Sequence, residues 1–400
     1  MTAPLDGFDF AALGELLDGL GADGWLLYDF HGVNPVATRV LGIHGMGTRR
    51  FFVLLPRAGP PVAVAHRIEL AAFDGFPGEV RPYAAWRELH AALSPLVAGK
   101  TLAMEVSPRD AVPYLDRVPH GVVQLVEAFG ARVVPSAPLV TRFAARWTAQ
   151  ELTGHRRAAE ALAGIAQEAL RWAGSELARG AEVRETTVQR RVMDAFARAG
   201  LVTDHSPIVG FQANSANPHY EPREGGGADR RLAPGDVLLL DLWAGPARGT
   251  VFADQTWMAF AGRAPDAEVR RVWETVRAAR DAAVARLRER WGGGGGGRAP
   301  VTGAELDDAA RGVIQDAGYG DSFPHRTGHS IDRDLHGSGP HLDNFETADD
   351  RVLLAGIGFS VEPGIYLAGR FGIRSEINVF LHETGPEVTP AAPQTELLLV

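Results

Sequence analysis

The sequence predicts two α/β domains in tandem, the second pairing strands into hairpins between long helices. Three observations predict it. The chain has 400 residues, more than one hydrophobic core ordinarily supports, so two domains are expected. Short apolar runs bounded by Gly and Pro alternate along it with amphipathic segments of helical period. Val134–Pro138 interrupts the pattern with two prolines, which sets the expected division at residues 1–138 and 139–400.

In the first part, Phe10–Leu20 and Ala84–Val97 read as helices. Gly24–Tyr28 and Arg50–Leu55 read as buried strands, the latter closed by Pro56, Gly59, Pro60 and Pro61. Thr101–Val106 and Val122–Val126 are two further strand candidates. In the second part, Thr148–Leu177 is a long amphipathic helix, and Thr148 with Glu151 three residues on forms a capping box. Val183–Arg198, Asp266–Trp291 and Ala304–Ala317 are the other helices. Val237–Trp243, Val251–Phe260, Phe359–Tyr366 and Ile373–Leu381 are strands. Gly292–Gly297 is a run of six glycines. A phosphate loop would continue into Gly-Lys-Ser/Thr, which Arg298-Ala299-Pro300 does not supply, so a flexible connection is expected.

Composition narrows the function. A content of 46% hydrophobic and 22% charged residues is that of a soluble globular protein. The net charge of −9, with no basic block to offset it, argues against a nucleic-acid partner. No apolar stretch approaches the ~20 residues of a membrane span, and the first residues lack a secretory pattern. A cytoplasmic protein with no membrane partner is expected. There is no cysteine, so disulfides, thiolate metal sites and cysteine nucleophiles are excluded together. A metal here would be bound by carboxylate and imidazole.

Two hairpins supply the carboxylates. Pairing Val237–Trp243 with Val251–Trp257 symmetrically about Ala247 and Arg248 sets Asp241 opposite Asp254. Directly opposed residues share a sheet face with Cβ atoms ~4.5–5.5 Å apart. Pairing the second hairpin about Gly369 sets Glu362 opposite Glu376 in the same way. Between the hairpins in sequence lies Phe323–Leu342, with His325, His329, His336 and His341. Carboxylates this close among apolar neighbours need a shared proton or a cation. Four carboxylates and one imidazole suit two divalent ions, and the absence of thiolate favours manganese, cobalt or zinc. The other reading of the same acids is two exposed hairpins with salt-bridged side chains.

The ordered set Asp241, Asp254, His329, Glu362, Glu376, with Thr327-Gly328-His329, Ser360–Tyr366 and Arg374-Ser375-Glu376, resembles the pita-bread metallopeptidases. These include methionine aminopeptidase, aminopeptidase P and prolidase. The resemblance covers the second domain from about Thr148 onward and implies a pita-bread α+β catalytic domain. The first domain resembles the creatinase-type N-terminal domain of the aminopeptidase P and prolidase branch. By this resemblance Asp241 chelates one metal ion, His329 with Glu362 the other, and Asp254 and Glu376 bridge them. Glu362 is implied as proton acceptor, His336 and His219 as substrate contacts, and His325 as a further active-site histidine. Tyr366 and Arg374 are implied to line the site and support the bridging glutamate. His341 has no such counterpart and reads as a loop histidine.

The implied enzyme is a homodimeric prolidase with two divalent ions per chain, manganese first and cobalt or zinc as alternatives. Its substrate is a small peptide with proline second. Aminopeptidase P acting on longer peptides is the alternative, with the metal-free creatinase branch and metal-free scaffold proteins behind it. A dipeptidase must hold a free carboxylate, a task for arginine. Arg374 is the candidate by motif, with His44, Arg49 and Arg50 of the first domain as a second source. The chain departs from the resemblance at Ser330 and Asp332, where glycine is usual, and at Gly337, where an acidic residue is usual, and its Asp241–Asp254 spacing is two residues longer than the common one.

Overall fold

The computed structural model describes residues 3–43, 47–291 and 300–400; His44 and the Gly292–Gly297 run lie outside the described residues. The chain divides into two units, Met1–Ala144 and Ala145–Val400. The break thus falls beyond Val134–Pro138. That stretch is occupied: it ends the strand Arg132–Pro135 and opens the helix Ala137–Phe143. Pro138 lies in the helix's first turn, where a missing N–H leaves no hydrogen bond unmade.

In the first unit the strands β1 (Gly24–Asp29), β2 (Phe51–Pro56), β3 (Val62–His66), β4 (Glu79–Tyr83), β5 (Thr101–Met104) and β6 (Arg132–Pro135) form one mixed sheet, ordered β4-β3-β2-β1-β5-β6. Helices cover both faces, so central β1 is buried along its whole length. Trp25, Leu27, Val53 and Leu55 point to one core, with Leu13 and Leu17 of α1 (Phe10–Leu20), Val36 and Val40 of α2 (Pro35–Leu41) and Leu139 of α5 (Ala137–Phe143). Leu26, Tyr28, Phe52 and Leu54 point to the other, with Leu89 and Leu93 of α3 (Trp86–Val97) and Val122 and Val126 of α4 (His120–Ala128). The expected strand at Val122–Val126 is therefore this helix. Its two buried valines are four residues apart, one helical turn, and a short apolar run does not by itself distinguish the two periods.

The second unit opens with α6 (Ala149–Ala178) and α7 (Glu185–Ala199), which pack on a sheet of β7 (Ile208–Phe211), β8 (Val237–Ala244), β9 (Ala253–Phe260) and β16 (Leu398–Leu399). Leu238, Leu240 and Leu242 of β8, with Trp257 and Ala259 of β9, face these helices. Val237, Leu239, Met258 and Phe260 face the opposite way, into a core shared with α8 (Ala267–Trp291), α9 (Gly303–Asp316) and the second sheet. That sheet is β10 (Ser330–Ile331), β11 (Gly358–Val361), β14 (Ile377–His382) and β15 (Gly385–Thr389), and β12 (Gly364–Leu367) pairs separately with β13 (Phe371–Arg374). By alternation Asp241, Asp254 and Thr256 lie on the β8–β9 face that looks toward β13 and β14.

The first hairpin does not have the expected register. Asp241 pairs with Thr256, and Asp254 with Trp243. The turn centres one residue later than assumed, next to Gly249, whose φ of 72° suits a residue without Cβ. Pairing slips by two positions, an even number, so both aspartates stay on one face as diagonal neighbours. In the second hairpin Val361 pairs with Ile377 and Gly364 with Arg374, a single register with a gap between. Glu362 and Glu376 sit at that gap, which is why each expected strand there is split in two.

At the entry to α6, Thr148 Oγ1 accepts from Glu151 N at 3.2 Å and Glu151 Oε2 accepts from Thr148 N at 2.7 Å. We expect Thr148→Ala to destabilise the protein by about 1 kcal/mol, read as a lower urea midpoint at unchanged slope.

Candidate active site

The site lies on the wall of a 590 Å³ cavity of the second unit. Asp241, Asp254, His329, Glu362, Glu376, Arg374, His219 and His336 all line it. Its acids come from the inner face of β8–β9 and from the gap in the second hairpin. Ser375, between Arg374 and Glu376, is fixed by Nη1 of the buried Arg280 on α8, which donates to Ser375 Oγ at 2.8 Å. The backbone N–H of Asp254 donates to Asn378 Oδ1 at 2.9 Å, tying the first hairpin to the second.

His329 is brought alongside by a segment that runs next to β11. Glu362 N donates to Thr327 O at 2.7 Å and Ser360 N to His329 O at 2.9 Å. Gly328 makes that approach feasible, since a Cβ there would lie 2.0 Å from Ser360 O. Thr327 is anchored through its N–H and hydroxyl to the buried Asp307 of α9, at 3.0 and 2.6 Å. Ser360 Oγ accepts from His329 N and donates to Glu362 Oε1, both at 3.0 Å.

The imidazole orientation is the chemical test of a metal site. His329 Nδ1 donates to Ser330 O at 3.1 Å, which leaves the Nε2 lone pair facing Asp254 Oδ2 and Glu362 Oε1, each at 3.4 Å. Ligand atoms of Asp254, His329 and Glu376 all lie within 4.8 Å of one another. Carboxylate oxygens converging with the Nε2 lone pair of His329 fit a cation of oxygen and nitrogen preference.

Arg374 is committed to the acids. Its guanidinium is buried, pairs through Nη2 with Asp241 Oδ2, and donates from Nε to Thr256 Oγ1 at 2.8 Å. Thr256 Oγ1 in turn donates to Glu376 Oε2 at 2.8 Å. Of the two roles open to Arg374, receiving a substrate carboxylate or pairing with a carboxylate of the site, the geometry has the second: its fork already neutralises part of the site. His325 and Tyr366 also differ from expectation, for neither is on the cavity wall. His325 Nδ1 donates to Arg326 O at 2.7 Å, so Nε2 accepts from Tyr366 Oη at 2.8 Å. They stand behind Arg374. His341, read as a loop histidine, is fully buried, and its Nδ1 accepts from Ser330 N at 3.0 Å. His336 packs edge-on against His329 with ring centroids 4.4 Å apart, and His219 is exposed to the cavity.

Sequence reasoning missed Thr256, Ser360, Asn378 and Asp307. Thr256 lies two residues from Asp254 on the same strand face and was open to the same period-two argument. Ser360 lay inside a quoted motif without a role. Nothing in sequence links Asp307 to Thr327.

Burial raises Asp241 to about 7 and Asp254 to about 8, and holds Glu376 well above the usual carboxylate range; mutual repulsion adds to this and Arg374 opposes it. For Glu362 burial also acts upward, but His329 and Arg374 outweigh it and the group is lowered. His336 is pushed down to about 3, first by His329 and then by burial. Asp241 and Asp254, raised above their unfolded values, favour folding in their protonated forms. In metal-free protein that contribution is whole below the unfolded aspartate range and is lost as pH rises through about 7 to 8. A divalent cation binds the ionised carboxylates and reverses the trend. We expect the thermal midpoint of metal-free protein to fall between about pH 6 and about pH 8.5, and the fall to vanish with saturating divalent metal. A metal-free midpoint that climbs across this window would contradict the burial of these acids.

The description of metallopeptidase family M24 matches residues 153–383, more than half of the chain. A probable dipeptidase PepE of Mycobacterium tuberculosis is 29% identical over 362 residues, which are 87% of this chain and 85% of the relative. An Xaa-Pro dipeptidase of Lactobacillus delbrueckii subsp. lactis is 32% identical over 179 residues, 44% of this chain and 42% of that protein. The crystal structure of dipeptidase PepE from Mycobacterium ulcerans superposes with a TM-score of 0.70 at 25% identity, covering 98% of this chain and 96% of that one. Among the described residues no helix is long and apolar enough to cross a membrane. The pita-bread architecture expected from the motifs is thus the fold observed, and the chain belongs to metallopeptidase family M24, a hydrolase with a candidate metal site in its second unit.

Proposed function

We propose that this protein is a manganese-dependent Xaa-Pro dipeptidase that holds two metal ions per chain and works in the cytoplasm as a homodimer. The observation that carries the reading is the convergence of four carboxylates and His329 Nε2 on one cavity wall, with His219 and His336 on the same cavity. The proline preference is supported by the relative named Xaa-Pro dipeptidase, and action on dipeptides also by the one named dipeptidase PepE. Oxygen-rich ligation supports manganese, with cobalt or zinc next.

Asp241 would hold one ion, His329 with Glu362 would hold the other, and Asp254 and Glu376 would contribute to both. Such ions supply a water of lowered pKa and a counter-charge for the peptide carbonyl oxygen. Glu362, lowered and so ionised at neutral pH, takes the proton and delivers it to the leaving nitrogen of proline. Ser360, donating to Glu362 Oε1, keeps that carboxylate turned toward the cavity. His336 and His219 contact the carbonyl and hold the peptide. Arg374, with Tyr366 and His325 behind it, fixes Asp241 and Glu376 instead of touching substrate. The cavity volume of 590 Å³ also suits longer peptides, which keeps Xaa-Pro aminopeptidase as the second reading.

Asp254→Asn and Glu376→Gln should each abolish hydrolysis and weaken both metal sites in a folded chain, because one charge is removed from two cations. His336→Ala and His219→Ala should keep their metal while turnover falls by about 10²–10³. Metal analysis and circular dichroism alongside the rates separate the two classes; full occupancy and activity in a carboxylate variant would sink the assignment. The dipeptidase reading is tested by kcat/KM for Ala-Pro against Ala-Pro-Ala. A clear preference for the tripeptide would replace it with the aminopeptidase.

A further inference from the structure

Three arginines line the catalytic cavity: Arg248, Arg333 and Arg374. Two of them are engaged. Arg374 holds Asp241 and Thr256, and Arg333 Nε donates to Glu151 Oε1 at 2.7 Å. Arg248 is exposed and, among the described residues, makes no hydrogen bond or ion pair. It stands on the loop that joins β8 to β9, the two strands that carry Asp241 and Asp254. That loop is shaped by Gly249 at φ 72° and by Thr250 Oγ1, which donates to Ala247 O at 2.7 Å. Asp204, an acid on the same wall, is itself held by Trp243 Nε1 at 2.6 Å and lies 3.5 Å from His205 Nδ1.

An arginine kept free of internal acids on the wall of a substrate cavity is poised for an external one. A guanidinium fork matches a carboxylate with two parallel charged hydrogen bonds. Full solvation makes the unpaired charge inexpensive until substrate arrives. We propose that Arg248 receives the free C-terminal carboxylate of the Xaa-Pro dipeptide and sets the preference for two-residue substrates. This rests on the dipeptidase reading above. It moves the carboxylate receptor from the motif arginine Arg374 to the hairpin loop, which is two residues longer than the common spacing.

The test compares Ala-Pro with Ala-Pro amide, which lacks the charge. The ratio of their kcat/KM values should exceed ten in the native enzyme and fall by about 10- to 100-fold in Arg248→Ala, mainly through KM for Ala-Pro. Arg248→Lys, which keeps charge without the fork, should fall between. A ratio unchanged in Arg248→Ala overturns the proposal, whether both substrates suffer or neither does. So does a loss confined to Ala-Pro-Ala over its amide. Calorimetric binding of L-proline against L-prolinamide to the metal-loaded protein makes the same comparison without turnover. If native protein cleaves neither dipeptide yet prefers proline, and Arg248→Ala loses that preference, the dipeptidase reading fails and Arg248 stands as the carboxylate receptor. No preference in the native protein overturns Arg248.

Discussion

Ligand oxygens of Asp254 and Glu376 lie within 4.8 Å of each other, and two full charges at that range repel by about 3 kcal/mol even at an effective dielectric of about 20. Asp241 and Glu362 add further pairs of the same kind. Their sum rivals the whole stability of a typical domain, about 5–15 kcal/mol. Arg374 offsets one charge, and His329, whose Nδ1 is a donor to Ser330 O, faces the acids with a lone pair. Protons or cations must neutralise the remainder. Much of the second unit's architecture follows from holding four repelling groups at fixed positions until that happens. Arg280 pins Ser375, Asn378 accepts from the N–H of Asp254, and Thr256 stands between Arg374 and Glu376.

The same constraint explains why the polar supports sit where hydrophobic packing would be simpler. Asp307 is wholly buried, and it secures Thr327 while pairing with Arg311. A buried carboxylate costs free energy unless its lone pairs are satisfied, and here the satisfied network fixes the backbone that carries His329. Ser360 couples His329 to Glu362 through one hydroxyl. Displacing either partner shifts the other, so Glu362 and His329 share one geometric reference. Arg248 is the counterpart on the cavity wall: it is charged, solvated and left outside this network.

Much of this was legible in the sequence because it depends on period-two alternation. Asp241 and Asp254 share a face under any even register, so the acids converge even though the expected pairing was off by two. The second hairpin kept its register, because Gly369 at φ 73° marks its turn unambiguously. Contacts between residues distant in sequence were not legible. Nothing local announces that Asp307 meets Thr327, that His341 is buried against Ser330, or that Tyr366 turns toward His325 and away from the cavity. Val122–Val126 is too short for the period of helix α4 to declare itself. Prolines end patterns in sequence, yet Pro138 lies in the first turn of a helix.

The departures from the expected motif form a set with its own logic. Asp332 stands where a glycine was expected, and its carboxylate accepts from Asp334 N, Ser338 N and Ser338 Oγ, each at 2.8 Å. It thereby folds residues 332–338 into a turn, and that turn carries His336. Gly337 follows from Asp332: a Cβ there would lie 2.8 Å from the Asp332 carboxylate carbon, closer than real contacts allow, so the acidic residue expected at 337 could not fit. Ser330, the third departure, accepts from Gly339 N at 3.1 Å and closes the other end of the same loop. The expected glycines would leave this segment free to vary. With these side chains the loop is fastened at both ends, while His329 stays beside Asp254 and Glu362. The substitutions therefore act on the loop that carries His336, apart from the backbone that positions His329.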